Sequence, residues 1–391
     1  MKQVCIGTVG SGYGAYLHGN AYEKVGKVPF RLKTVCDVVE EKAKEVKEHF
    51  GYEDYCTDYQ QILDDPEIDV VDIVTPPFTH LEMARRALEA GKHVICEKPL
   101  TGYFGKEGDA EPIGRHVSKR EMYEAVLKEI EEFREVINKS GKKFCYAENF
   151  VYAPAVQKAA EILQGKKSKI LYMRGETSLK GSSSPVAGEW GKTGGGTLIR
   201  CGTHPLTGIL YLKNMESIAR GEAITIKSVL ADTGAATACL TPYEHRHIKA
   251  WPMDVEDFSN VTITFSDGTK AVILSTDTVL GGTKDYIKVF ANDVALECNI
   301  ALTDLLNTYL LDEEGIEDIQ LSEMMPSKLG WNKAFIANEV IRGYTGELQD
   351  FLEAIAEDRE AASDFELACQ TTRVLYGAYL SAEEGRRIDL E

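Results

Sequence analysis

The nine cysteines of this 391-residue chain include no CxxC pair. A zinc ribbon or a dithiol redox motif is therefore unsupported. Cys5, Cys36, Cys96 and Cys145 each sit in an apolar run and read as small buried hydrophobes of a reducing compartment. Long hydrophobic stretches are also lacking. None approaches the roughly 18 apolar residues of a membrane helix. The opening MKQVCIGTVG is broken by glycine too early for a signal peptide. A cytoplasmic location is expected. Basic residues are outnumbered, 44 Lys+Arg against 62 Asp+Glu, for a net charge of −18. Such a chain repels phosphate backbones and anionic lipid, so neither nucleic acid nor membrane is an expected partner. Internal repeats and low-complexity tracts are not seen either.

What remains is ample for a core: 43% hydrophobic and 27% charged residues. The first 150 residues alternate short apolar runs with helical patterns. The runs are Val4–Val9, Leu32–Cys36, Val70–Val74, His93–Cys96 and Lys143–Ala147. Nearly continuous Val, Ile and Cys is how a strand buried on both faces reads. Segments such as Glu41–Phe50 and His80–Ala90 carry apolar residues at helical spacing. The alternation predicts right-handed βαβ crossovers and a parallel sheet. After residue 150, Ile170–Glu176, Asn260–Phe265, Thr269–Ser275 and Tyr286–Ala291 alternate with period 2, as an antiparallel sheet with one wet face does. Ser266-Asp267-Gly268 is a hairpin turn, and Tyr344–Glu384 is helical in pattern. Two domains are expected, 1–149 and 150–391. Thr101–Lys119, polar and glycine-containing, is long enough to be a functional or mobile loop.

Gly10-Ser11-Gly12-Tyr13-Gly14-Ala15 follows the first strand as GxGxxA. Gly10 permits the tight turn, Gly12 lets a pyrophosphate approach the backbone, and Ala15 lets helix pack on strand. The helix N-terminus then offers free N–H groups to the phosphates. Asp37, at the end of the second run, suits the ribose hydroxyls of NAD and repels the 2′-phosphate of NADP. Alone, GxGxxA is a weak signal; strand, cradle, helix, strand and acid in order make it a strong one.

Two further motifs fall just past strand ends, where ligands sit in an open α/β sheet. Thr75-Pro76-Pro77-Phe78-Thr79-His80 takes an extended path after the third run. Glu97-Lys98-Pro99 follows the fourth, where a lysine can hold a substrate hydroxyl.

Together the cradle, Val35-Cys36-Asp37, TPP with His80 and EKP resemble the Gfo/Idh/MocA oxidoreductases, the glucose–fructose oxidoreductase and inositol dehydrogenase group. The resemblance continues in Gly194-Gly195-Gly196-Thr197-Leu198-Ile199-Arg200-Cys201-Gly202-Thr203-His204, in Val255-Glu256-Asp257-Phe258 and in Ser381–Arg387. It implies an α/β chain: an N-terminal Rossmann domain with a parallel sheet, then a C-terminal α/β domain with a large, mostly antiparallel, open-faced sheet. It implies NAD as cofactor, held by Gly10, Gly12, Tyr13, Gly14, Ala15, Asp37, Thr75, Pro76, Pro77, His80, Glu97 and Lys98. It also implies Lys98 and His204 as the catalytic pair. An imidazole titrates near neutrality and suits proton transfer at a hydroxyl. The family's acid four residues before the histidine is replaced by Arg200, which cannot act as a base. Arg200 is expected to bind an oxygen-rich substrate or to pair with a buried carboxylate. Glu148 and Asn149 are expected near the nicotinamide, with Lys98, Glu148, Asn149, Arg200 and His204 as the substrate list.

His245 and His247, with Asp254 or Glu256, have the residue types of a metal site if both histidines share a strand face. Without a clear third ligand they read as a polar loop, and no metal is expected. Gly181–Pro185 and Gly191–Gly196 read as flexible loops over the cleft. The expected activity is NAD-dependent oxidation of a ring secondary hydroxyl of a sugar or glycoside, with the 3-oxo sugar as one product. An NAD-dependent glycosidase working through transient oxidation and a non-catalytic NAD-binding regulator are the alternatives. A small-molecule substrate and a homo-oligomer are the expected partners.

Overall fold

The computed structural model describes residues 3–301, 306–314, 327–333 and 337–390. Six strands form the first sheet: β1 (Val4–Val9), β2 (Phe30–Cys36), β3 (Asp54–Cys56), β4 (Val70–Ile73), β5 (His93–Glu97) and β6 (Phe144–Ala147). Their order is β3-β2-β1-β4-β5-β6, and every neighbouring pair is parallel. The chain starts at the centre, winds outward, then returns to the other side of β1. This reversal opens a crevice between the C-terminal ends of β1 and β4. Every residue of β1, β4 and β6 is buried, as continuous apolar runs require of a sheet covered on both faces.

The second sheet comprises β7 (Ile170–Ser178), β8 (Ile226–Gly234), β9 (Phe258–Phe265), β10 (Lys270–Thr276), β11 (Lys284–Ala291) and β12 (Ala295–Asn299), with a short terminal strand Ile388–Asp389. It is antiparallel except where β10 runs parallel to β7. Inward residues such as Met173, Ile263, Ile273 and Val289 are fully buried. On the other face, Leu230 and Phe290 stay 40% and 39% exposed, and Tyr172 stacks on Phe290 with ring centroids 5.8 Å apart; Leu171, unpaired at the bulge beside Tyr172, is 52% exposed. The helices Pro154–Lys166, Thr203–Arg220 and Phe365–Glu384 belong to the covered side.

The C-terminal segment departs from a single helical pattern. It makes two helices, Tyr344–Glu357 and Phe365–Glu384, broken at Asp358 with φ 55°. Both pack back on the parallel-sheet half, the first on the helix Tyr13–Tyr22 and the second on Lys119–Ser140. Residues 101–119 are not a free loop. Tyr103 is buried, its N–H donating to the Tyr376 hydroxyl at 2.6 Å and its hydroxyl to Asp109 at 2.6 Å. Eight of the nine cysteines are buried, Cys239 is exposed, and all are free thiols.

Candidate active site

Gly10 leaves β1 with φ +106°, and a Cβ there would stand 2.8 Å from the Val74 carbonyl. Only glycine turns the chain this tightly against the end of β4. The helix Tyr13–Tyr22 then starts at Gly12 with no side-chain cap and no acid in its first turn. Nothing lies within 4 Å of where a Gly12 side chain would be. Uncapped N–H groups facing open space fit a dinucleotide pyrophosphate. Asp37 is tied beside this turn: its carboxylate accepts from Ser11 N–H at 2.8 Å and Val39 N–H at 2.9 Å. These residues fit NAD on their own geometry.

Below the cradle's open edge lies a cavity of about 320 Å³. Tyr13, Gly14 and Thr75 form its cofactor side; Glu97, Lys98, Cys201 and His204 line its floor. Lys98 reaches across from the end of β5. Its Nζ donates to the Arg200 carbonyl at 2.9 Å, and its backbone N–H donates to its neighbour Glu97 at 2.9 Å. His204 comes from the other half. Its Nδ1 lies 2.7 Å from Glu148 Oε1, and its ring stacks on Phe150 at 5.0 Å. Glu148 and His204 are both buried. A carboxylate there accepts Nδ1–H and leaves Nε2 as the acceptor facing the cavity.

Arg200 does not join the cavity. Residues 198–202 form a π-turn before the helix Thr203–Arg220. On a plain α-helix, positions four apart share a face. The Arg200 guanidinium instead pairs with Asp277, outside the cavity lining. Of the two readings open for Arg200, the carboxylate pair is the one the geometry shows. Asn149 is likewise behind the wall, donating to the Arg342 carbonyl at 2.7 Å. His80 is a staple between loops: Nδ1 is 2.8 Å from the Pro99 carbonyl and Nε2 is 2.9 Å from that of Thr75. Burial lowers its pKa, and its backbone partners only partly offset this. Pro76 and Pro77 carry the chain from the cavity rim into the helix His80–Glu89.

The Gly191–Gly196 stretch is not a flexible cover. Residues 193–199 are buried, and a Cβ at Gly196 would collide with the Glu256 carbonyl. Glu256 accepts from Gly196 N–H at 2.9 Å, Leu198 N–H at 2.8 Å and the Tyr379 hydroxyl at 3.0 Å. Burial pushes its carboxyl up to about 7, against the pull of those donors. Glu256 thus holds the loop that delivers His204. His245 and His247 stand on the turn Glu244–His247 rather than on a strand, and His245 packs against Trp251 at 3.7 Å. Among the described residues no group of three or more His, Cys, Asp or Glu side chains can hold a metal ion, and no helix is long and apolar enough to cross a membrane.

Sequence reasoning missed Leu17, Thr177, Leu179, Thr283, Arg342 and Tyr344, which complete the cavity. It also missed a buried network under Glu97. His18 contacts both Asp72 oxygens at 3.0 and 2.9 Å and Glu97 at 3.4 Å, and the Tyr22 hydroxyl donates to Asp72 at 3.0 Å. Burial disfavours a charge on His18, yet Asp72 and Glu97 raise its pKa well above the usual imidazole range. Burial pushes Glu97 up, but His18, Lys98 and His204 outweigh it and hold the carboxyl low.

Residues 4–123 match the family model of oxidoreductases with an NAD-binding Rossmann fold, GFO_IDH_MocA. Levoglucosan dehydrogenase of Pseudarthrobacter phenanthrenivorans is 28% identical over 93% of this chain and 92% of its own. The NAD-dependent scyllo-inositol 2-dehydrogenase of Bacillus subtilis is 40% identical over 25% of this chain and 29% of its own. Among solved structures, GenD2 from gentamicin A biosynthesis in complex with NAD shares the fold over 100% of this chain and 97% of its own (TM-score 0.77, 20% identity). Levoglucosan dehydrogenase with NADH and levoglucosan does so over 100% of both chains (TM-score 0.71, 22% identity). Residues 4–123 thus match the Gfo/Idh/MocA oxidoreductases, and the likeness to levoglucosan dehydrogenase runs on through the second half of the chain.

Proposed function

We propose that this protein is an NAD-dependent dehydrogenase that oxidises a ring secondary hydroxyl of a sugar or glycoside, with the 3-position as the site of attack. The observation that carries the reading is the placement of Lys98 and His204 in one cavity, opening on Tyr13, Gly14 and Thr75 of the dinucleotide cradle. Both nearly full-length and partial relatives that act on sugars or polyols support the class.

His204 accepts the hydroxyl proton at Nε2, while Glu148 on Nδ1 fixes the ring and stabilises the imidazolium. Lys98, anchored on the Arg200 carbonyl, donates to the same substrate oxygen as negative charge builds on it. Leu17, Val74 and Leu179 exclude water from the cavity and face the apolar side of a ring. Bound NAD supplies the hydride acceptor. Asp37 would hold its ribose and the helix N-terminus that starts at Gly12 its pyrophosphate. In this reading residues 1–149 carry the cofactor, and 150–391 supply the substrate wall and an oligomer face. The test is Lys98→Ala and His204→Ala: turnover should fall by at least about 10²-fold with NAD affinity largely kept. Near-normal rates in both variants would remove the assignment.

A further inference from the structure

Glu347 is a buried acid that the mechanism does not use. Glu347 lies on the helix Tyr344–Glu357 and is 0% exposed. Neither of its carboxyl oxygens has a hydrogen-bond partner among the described residues, and the outer oxygen of Glu148 has none either. Around Glu347 converge His18 of the first helix, Asp72 of β4, Glu97 of β5 and Glu148 at the end of β6. Tyr22, Tyr152 and Tyr344 complete its surroundings, with Arg342 on its own segment. Three of these groups are carboxylates. The cation that acts on Glu347 is His18, and it is already shared between Asp72 and Glu97. A fourth buried anion here would be without compensation and would cost more than a proton does.

We propose that Glu347 is a positioning residue: it remains an uncharged acid, and by doing so lets Glu148 stay the anion that fixes His204. Were the Glu347 proton to pass to Glu148 instead, Glu347 would carry the charge. The Glu148 carboxyl would then cease to be a pure acceptor, and His204 would lose the tautomer that leaves Nε2 free. Burial first, then Glu97, Glu148 and Asp72, raise the Glu347 pKa well above the carboxylate range, His18 alone opposing. The direction agrees with the geometry.

This rests on His204 as the base, so the experiment reads the two ideas separately. The first measurement is the infrared difference spectrum between wild type and Glu347→Gln at neutral pH, which needs no substrate. A carboxylic-acid C=O band present in wild type and lost in the variant is expected. The second is the pH profile of kcat. Its alkaline limb should move up by about one pH unit or more in Glu347→Gln, a tenfold change in proton affinity, with at most a few-fold loss of kcat at neutral pH. A merely structural Glu347 would change melting temperature and leave the limb in place. Absence of the acid band, or an alkaline limb with the same midpoint in both proteins, overturns the proposal. If Glu347→Gln does not fold, the band in wild type should titrate away at the pH of the alkaline limb; a band that persists through the limb overturns it equally. Failure of His204→Ala to impair turnover removes the base assignment and leaves the infrared result standing by itself.

Discussion

His204 Nδ1 lies 2.7 Å from Glu148 Oε1, joining a residue of the second half to the strap that leaves the last parallel strand. The two are 56 residues apart, and the bond crosses the junction between the sheets. It sets the tautomer on which the proposed proton transfer depends. Glu148→Gln offers an amide that presents either face to the ring. We expect kcat to fall about 10²-fold with NAD binding within a few-fold of wild type, read by steady-state kinetics and cofactor titration. An unchanged kcat would mean that the pair is structural only.

Asp37 places a carboxylate beside the Gly10–Gly12 turn, where the ribose edge of a dinucleotide sits. A 2′-phosphate brought there meets like charge, which costs several kcal/mol. NAD should bind at least about tenfold tighter than NADP, and Asp37→Ser should narrow the gap. Comparative titration checks this; equal affinities in wild type would contradict it.

Glu256 gives a pH signature. Its folded pKa is about 7 against an ordinary value of 4.5, so the native state keeps the proton to higher pH than the unfolded chain. The stabilisation is complete below the ordinary value and is lost as pH rises through about 7. Between those limits wild type should lose up to about 3 kcal/mol relative to Glu256→Gln, which has no proton to lose. Denaturant unfolding at a series of pH values measures it. Parallel stability curves would place the ionisation elsewhere.

The open face of the second sheet leaves Leu230 and Phe290 in water, and Leu171 is exposed at the bulge beside Tyr172. Exposed apolar patches on a sheet mark contact surfaces. We expect a homo-oligomer at micromolar concentration by light scattering, and Leu171→Glu with Phe290→Glu should shift it toward monomer. A monomeric wild type would contradict the assignment of this face.

The parallel sheet and its ligand edge were legible because both are local. β1, β4 and β6 are buried throughout and read as apolar runs, and GxGxxA, TPP and EKP fall within a few residues of a strand end. The strand Asp54–Cys56 was not legible, since three residues carry no period. Two strands of the second sheet, Ile226–Gly234 and Ala295–Asn299, were also passed over: the run Val229-Leu230-Ala231 breaks period 2 in one, and the other is short and carries little apolar signal. Lys98 and His204 were found through their motifs. The direction of Arg200 was not, because its partner Asp277 lies on a segment 77 residues further along the chain. Tyr344 reaches the site from 140 residues downstream of His204, by packing of its helix on the first helix of the chain. Sequence spacing holds no record of such a contact. Gly191–Gly196 was read as mobile from composition, whereas its glycines serve close packing against Glu256 and Tyr379.

The central claim is hydride removal from a ring hydroxyl with His204 taking the proton. The most direct test incubates the protein and NAD with free hexoses, inositols, aryl glycosides and simple hydroxy acids, following reduced cofactor and product mass together. The account predicts NADH formed one-for-one with a product two hydrogens lighter, from a sugar or glycoside, and neither signal from His204→Ala. Turnover confined to hydroxy acids, or glycoside cleavage with no net NADH, would contradict it.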